Sequence, residues 1–561
     1  MSSAERGWSA EHVRGYRERV FAERERLLAA LPETALWQQR VLTELLEFNA
    51  GTEFGRKFGF DRIRTVDEFR RAVPVHDYHA LEPWIERMAA GERGVLTADD
   101  PVVYFTSSGS TGDHKKIPVT KRFMRDAFFP FFYAAWAPMV EHHPDVLAAD
   151  GMLNLKQDPL PAPKLTADGK PHLGASQVDF GAAFGEPLSA EPGTAAAWAT
   201  LPVPVAGDDH LEKAYLRLRL AVEADVRGVI GINPAIVAAL PYQLEQWWPR
   251  IVREIRDGTV GGERLRDPNP ERAAELETLA RRFDPVRPAH VWPNLRTVFC
   301  WTGGIAALYL PRLREEFGLG VEVLPAPTAA SEGPIGVTLD RHPRAGSLVV
   351  TASVYEFVPA DEPIGADVAT LLPGELVPGQ EYQVIFSQIG GLYRYAGGDV
   401  VRVLDTLGGA PRVEYAGRAT VSNAAGERLR ESHVVGALAA AAGESGLEVR
   451  NVSCRVTGTP PRYEFAVAPF GRWSATEAER VTHRLDTELC ARAAGYRAAR
   501  KTGALESPRL LQVTADAFHR DWHARVAEGT RPAQVKDRLF RQDGAAWDRL
   551  AGPSANEGEL K

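Results

Sequence analysis

Lysine is scarce: 11 lysines stand against 55 arginines in a chain of 561 residues. A drift toward arginine would have replaced any lysine needed only for its charge, so those that remain mark tasks for a compact ammonium ion. Cysteine is scarcer still. Cys300, Cys454 and Cys490 are uneven in spacing and form no CxxC pair, which excludes a disulfide framework or a cysteine metal site and fits a reducing cytoplasm. There is no long apolar run either: Ala127 to Val140 is interrupted by Pro130 and Pro138, and a bilayer takes about 20 apolar residues. The charged N-terminal stretch lacks the apolar core of a signal peptide and reads as an amphipathic helix, so export is not expected. A formal net charge of −8, with no basic stripe, argues against a nucleic-acid binder.

What is present is an enzyme-like composition, 44% hydrophobic and 25% charged. Residues 10 to 95 carry apolar positions three and four apart and predict helices. From about 100 the chain turns to short β-branched and aromatic runs alternating with helical stretches, which predicts an α/β body with a mixed sheet. Residues 156 to 177 are rich in Pro and Gly and read as an irregular loop. The stretch EYQVIFSQIGGLYRYAGGDVVRVLD reads as three short strands punctuated by Gly-Gly turns. From about 420 a new helix and strand alternation predicts a small α+β domain, giving an expected division into 1–418 and 419–561.

The stretch YFTSSGSTGDHKKIPVT (104–120) sets bare backbone beside positive charge. Small residues let successive N–H groups approach a phosphate, and a lysine supplies the balancing charge. The spacing is not that of a P-loop NTPase: five residues after Gly109 stands His114, and after Gly112, Ile117. Taken alone the run could be a flexible polar loop. Further along, Glu332 in PTAASEGPIG follows a predicted strand, the end at which α/β sheets place ligands. Asp399 lies in the glycine-rich YRYAGGDVV, a Gly-Asp pattern that on its own reads as a plain turn.

Together with VWPNLRTVFCWTGG (291–304), VYEFVP (354–359), GLYRYAGGDVVRV (391–403) and GRATVSNAAGERLRE (417–431), these stretches resemble, in order and over nearly the whole chain, the Gretchen Hagen family of acyl acid amido synthetases. That family lies within the adenylate-forming superfamily. The resemblance implies a large N-terminal α/β domain with mixed sheets and a small barrel-like part, followed by a small mobile α+β domain hinged near 417–423. It implies a phosphate-binding loop of Ser107, Ser108, Gly109, Ser110, Thr111 and Gly112, with Lys115 as the family's lysine. Glu332 would lie near the Mg2+ that bridges ATP phosphates, beside Ser331. Thr328 stands where the family has an adenine-stacking tyrosine, a departure. Asp399 would take the ribose, with Tyr395 and Arg418 nearby. Lys536 in AQVKDRLFR, or Arg428 where the family has lysine, would reach the carboxylate and α-phosphate.

The implied reaction uses ATP and Mg2+ to turn a small-molecule carboxylic acid into an acyl-adenylate, then passes the acyl group to an amine. No nucleophile motif competes: there is no GxSxG elbow, and no cysteine lies in a nucleophile signature. A coenzyme A or carrier-protein thiol as acceptor, and an inactive nucleotide-binding regulator, stay open. FMRDAFFPFFYAAWAP offers aromatics for an acyl pocket, with Arg122 or Arg125 for a carboxylate, and VIGINPAIVAALPYQLEQWW a second wall; either could equally be core. Composition points to a bacterial, cytoplasmic enzyme with no nucleic-acid or membrane partner, and leaves monomer and dimer both open.

Overall fold

The structure, a computed structural model, describes residues 8–108, 114–155, 163–185, 192–514 and 516–552. By their internal contacts they divide into two interleaved compact units. One takes the residues up to Leu147, Lys156–Thr194 and Pro325–Ala419; the other takes Ala148–Leu155, Ala195–Leu324 and the residues from Thr420.

The first unit opens with helices whose ends are written into the sequence. Thr65 and Glu68 form a capping box at the start of the helix Val66–Ala72, each satisfying a backbone N–H the helix cannot bond itself. The helix Ala10–Ala30 lays Tyr16 edge-on against Tyr133 (5.5 Å) and Trp136 (6.4 Å). A seven-stranded sheet follows, in the order Thr328–Ala330, Gly333–Val337, Gly346–Leu348, Ala410–Arg418, Leu392–Leu407, Glu381–Gln388, Val354–Pro359. A second sheet pairs Val103–Ser108 with His114–Val119 on one side and with Pro171–Leu173 on the other.

Two local expectations are corrected. The Pro- and Gly-rich loop is not wholly irregular: 156–162 lie outside the described residues, but Lys164–Leu165 pairs with Pro171–Leu173 as a short hairpin. The stretch from Glu381 to Asp405 holds two strands, not three. Gly390–Gly391 is a turn, but Gly397–Gly398 sits inside the strand Leu392–Leu407, where the register against Glu381–Gln388 shifts between Gln383 and Ile385. Gly398, at φ +83°, lets the strand bulge without leaving the ladder.

In the second unit Met152–Asn154, Gly228–Ile230 and Thr297–Cys300 pair in parallel, with Glu322–Pro325 at the far edge. The helix Pro234–Asp257 covers this sheet through Val237, Leu240 and Leu244, so the expected second acyl wall is largely core. The C-terminal part sets Glu431–Glu444 and Ala475–Arg492 on a sheet of Val449–Thr457, Arg462–Pro469 and Arg509–Gln512. Among the described residues no helix is long and apolar enough to cross a membrane.

Candidate adenylate site

Lys115 and Lys116 follow each other on a strand, so they face opposite ways, and their contacts separate two roles. Lys116 Nζ pairs with Glu86 at 2.5 Å. Lys115 Nζ lies 5.2 Å from the centre of the Tyr78 ring, and its charge reaches Glu332. The hairpin sets Lys115 opposite Ser107 and His114 opposite Ser108. Of the expected phosphate loop, Gly109, Ser110, Thr111 and Gly112 lie outside the described residues.

Ser331 and Glu332 form the turn between Thr328–Ala330 and Gly333–Val337. Glu332 is 6% exposed, and the Tyr395 hydroxyl donates to its Oε1 at 3.2 Å. Burial, with the charge of Asp399, raises its pKa above the usual carboxylate range; Arg418 and Lys115 oppose that rise. A Cβ at Gly333 would crowd the Phe386 ring at 3.3 Å, and Phe386 packs edge-on against Tyr395 at 5.9 Å. Burial likewise pushes the Tyr395 phenol up, with Glu332 next, so it stays a donor.

The bulge at Gly397–Gly398 places Asp399 opposite Arg418. Arg418 Nη1 bonds Asp399 Oδ1 at 2.6 Å, and the Tyr415 hydroxyl donates to the same oxygen at 3.4 Å. Asp399 is 7% exposed. Lys115, Glu332, Tyr395, Asp399 and Arg418 therefore all belong to the first unit, on linked elements. Thr328 is half-buried on the edge strand, at a register shift. Arg428 and Lys536 belong to the second unit. Arg428 is exposed at φ +45°, its N–H donating to Asn423 Oδ1 at 3.3 Å, and Lys536 is exposed with Nζ 5.0 Å from the Trp301 ring centre.

Sequence reasoning passed over Arg394 and Glu356. Arg394 is 3% exposed, and its guanidinium bonds Glu356 at 2.9 and 2.7 Å and the carbonyls of Arg70 and Val73. Its φ of +44° is rare for a residue with a Cβ. That strained residue, within the strand Leu392–Leu407 at a register shift against Glu381–Gln388, immediately precedes Tyr395, and the ion pair holds it; nothing in the local pattern signals a positive φ at an arginine.

In the expected acyl-pocket stretch, Met124–Phe128 forms a π-helical turn, a feature frequent at functional sites. Half-buried Phe128 stacks on half-buried Phe132 and on buried Phe180, and half-buried Phe184 packs on buried Phe129 and Phe180. Neither arginine read for the carboxylate is uncommitted. Arg122 pairs with Glu44 and Asp126 and lies over Phe48, and Arg125 pairs with Asp126.

Residues 24–319 match the GH3 family N-terminal domain, 346–418 the central domain and 432–543 the C-terminal domain of the same family. The chain belongs to the GH3 family. It is similar to a probable indole-3-acetic acid-amido synthetase of Oryza sativa subsp. japonica, 27% identical over 67% of this chain and 68% of that one. It is also similar to a jasmonoyl--L-amino acid synthetase of Nicotiana attenuata, 25% identical over 89% and 90%. In fold, this GH3 chain superposes on the GH3.15 acyl acid amido synthetase with a TM-score of 0.76 at 20% identity, covering 93% of this chain and 95% of that one.

Proposed function

We propose that this GH3 protein is an AMP-forming acid–amine ligase. A carboxylate resists attack because its own charge shields the carbonyl carbon. An acid oxygen attacks the α-phosphorus of ATP, the bond to the β-phosphate breaks, and pyrophosphate leaves. An amine then attacks the carbonyl carbon of the acyl-adenylate, the bond to AMP breaks, and the nitrogen loses a proton. Such a reaction asks the protein chiefly for positioning and charge.

The observation that carries this reading is the gathering of Lys115, Glu332, Tyr395, Asp399 and Arg418 in one unit of a GH3 chain. Lys115 is assigned to the phosphates. Asp399 is assigned to the ribose hydroxyls, exchanging part of its bond to Arg418 for them. The buried Glu332, an oxygen donor whose charged form is disfavoured where it stands, fits Mg2+, which is held by one or two carboxylates plus substrate phosphates. Bound there, the ion would neutralise phosphate charge. Lys536, or Arg428 in its place, is assigned to the carboxylate and α-phosphate. What supports a hinge near 417–423 is that the chain passes from one unit to the other between Ala419 and Thr420.

The helical segment 124–135 packs on the strand Gly333–Val337 that leaves Glu332, so its half-buried phenylalanines favour an aromatic acid. The curated relatives named above are plant proteins; a bacterial, cytoplasmic setting rests on composition alone. The test is exchange of labelled pyrophosphate into ATP across aromatic and aliphatic acids, followed by amide formation with a panel of amino acids and with coenzyme A. Exchange that needs an aromatic acid and collapses in Lys115→Ala, with amide as product and no thioester, is the expected result. Absence of exchange despite ATP binding would remove the reading.

A further inference from the structure

Lys536 stands in a segment fixed on both sides, within the second unit. Ahead of it, the side-chain amide of Asn233 donates to the carbonyls of Ala533 (3.2 Å) and Val535 (3.0 Å). Behind it, the Ser453 hydroxyl donates to the Arg538 carbonyl at 2.8 Å, and Cys454 exchanges backbone bonds with Leu539 and Arg541 at 2.6 and 2.8 Å. Asn233, 5% exposed, has a second task, since its Oδ1 caps the helix Pro234–Asp257 through the Ala235 N–H. The lysine ammonium lies 5.0 Å from the centre of the Trp301 ring. The Trp301 N–H donates to the Ile232 carbonyl at 3.0 Å, so Trp301 and Asn233 stand side by side. Both follow the carboxyl ends of parallel strands, Thr297–Cys300 and Gly228–Ile230, the edge at which open α/β sheets hold ligands.

We infer that Trp301 is a positioning residue for Lys536: its ring face holds the ammonium at this edge, while Asn233 holds the backbone that carries it. A lysine is a mobile point charge on a four-carbon stem, and an aromatic face within about 6 Å attracts it and narrows its range. The inference rests on the proposed part of Lys536 in adenylation. It adds that the placing of Lys536 depends on a tryptophan the reaction never touches.

The test measures kcat and KM for ATP in acid-dependent pyrophosphate exchange, with melting temperature alongside. Trp301→Leu should lower kcat about tenfold with KM little changed, while Trp301→Phe, which keeps an aromatic face, stays within about threefold of wild type. In a Lys536→Met background, Trp301→Leu should add no further loss. Should Trp301→Leu fail to fold, Asn233→Asp keeps the cap oxygen, loses the amide donor, and is expected to lower kcat in the same selective way. Equal losses in the Phe and Leu variants, an undiminished loss in the Lys536→Met background, or a Trp301→Leu enzyme at wild-type rate would each overturn the positioning role. If Lys536→Met itself exchanges normally while Lys115→Ala does not, the assignment of Lys536 fails and takes this inference with it. If no acid supports exchange in wild type, the ligase reading fails first.

Discussion

Glu332 sits where a carboxylate is costly: burial and Asp399 disfavour its charge, and Arg418 and Lys115 partly offset them, while the Tyr395 hydroxyl donates to it. On the proposed ligase reading, this arrangement serves a cation that arrives with the substrate. Glu332→Gln should therefore lower pyrophosphate exchange by about 10² to 10³-fold, with a melting temperature equal to or above wild type. A lower melting temperature would show Glu332 to be structural. Lys115, Glu332 and Asp399 stand out in the sequence because small residues and glycines flank them, and chemistry that needs close backbone approach leaves that mark. Tyr395 was read there as a neighbour of the ribose carboxylate, but its phenol bonds Glu332, 63 positions away. That contact depends on the pairing of distant strands and on the strained backbone at Arg394, neither of which local sequence encodes.

Among elements, the helix Ala517–Ala527 shows how docking can depend on pH. His519 on this helix stacks on Tyr242 at 5.0 Å and 8°, and its ring accepts from Arg312 Nη2 at 3.0 Å. Burial, and then the charge of Arg312, push its pKa down to about 4. Burial pushes Glu316 up, but Arg312 and His519 outweigh it and hold it down at about 2. Both folded values lie below the unfolded ones, so the stability linked to them is present above the unfolded pKa and lost as pH falls. For His519 that window runs from about 6.5 to about 4 and is worth up to roughly 3 kcal/mol. His519→Gln, which keeps an acceptor for Arg312, should be less stable than wild type at pH 7 but lose less between pH 6.5 and 4.5, as read by urea unfolding. Parallel pH slopes would refute it. The sequence showed this stretch as mixed polar and aromatic. Its helical and strand neighbours were legible from periodicity, as with Glu431–Glu444 and Arg462–Pro469, whereas the Gly397–Gly398 bulge reads in one dimension like a turn, because glycine serves both.

At the scale of the molecule, the chain passes between its two units five times. One crossing, at Ala419, falls where the composition changes. The crossings near Thr194 and Leu324 fall amid alternating helix and short strand on both sides and leave no compositional trace. The second unit depends on that interleaving: Ala235 and Ala239 of the helix Pro234–Asp257 share a core with Trp522, Val526 and Val535, and Leu308 is buried among C-terminal residues such as Leu429 and Leu438. The ion pairs of Arg450 with Glu315 and Glu316 join the same two stretches. A chain ended at Ala419 would uncover these apolar surfaces and strand the charges, at several kcal/mol for the buried groups alone. Such a chain should bind more apolar dye, self-associate on size exclusion and melt at lower temperature, and adding residues 420–561 as a separate chain should reverse part of each effect. A truncated chain that stays monomeric with unaltered dye binding and melting would mean that Ala195–Leu324 holds its fold alone, and that the C-terminal residues join it only as a detachable domain.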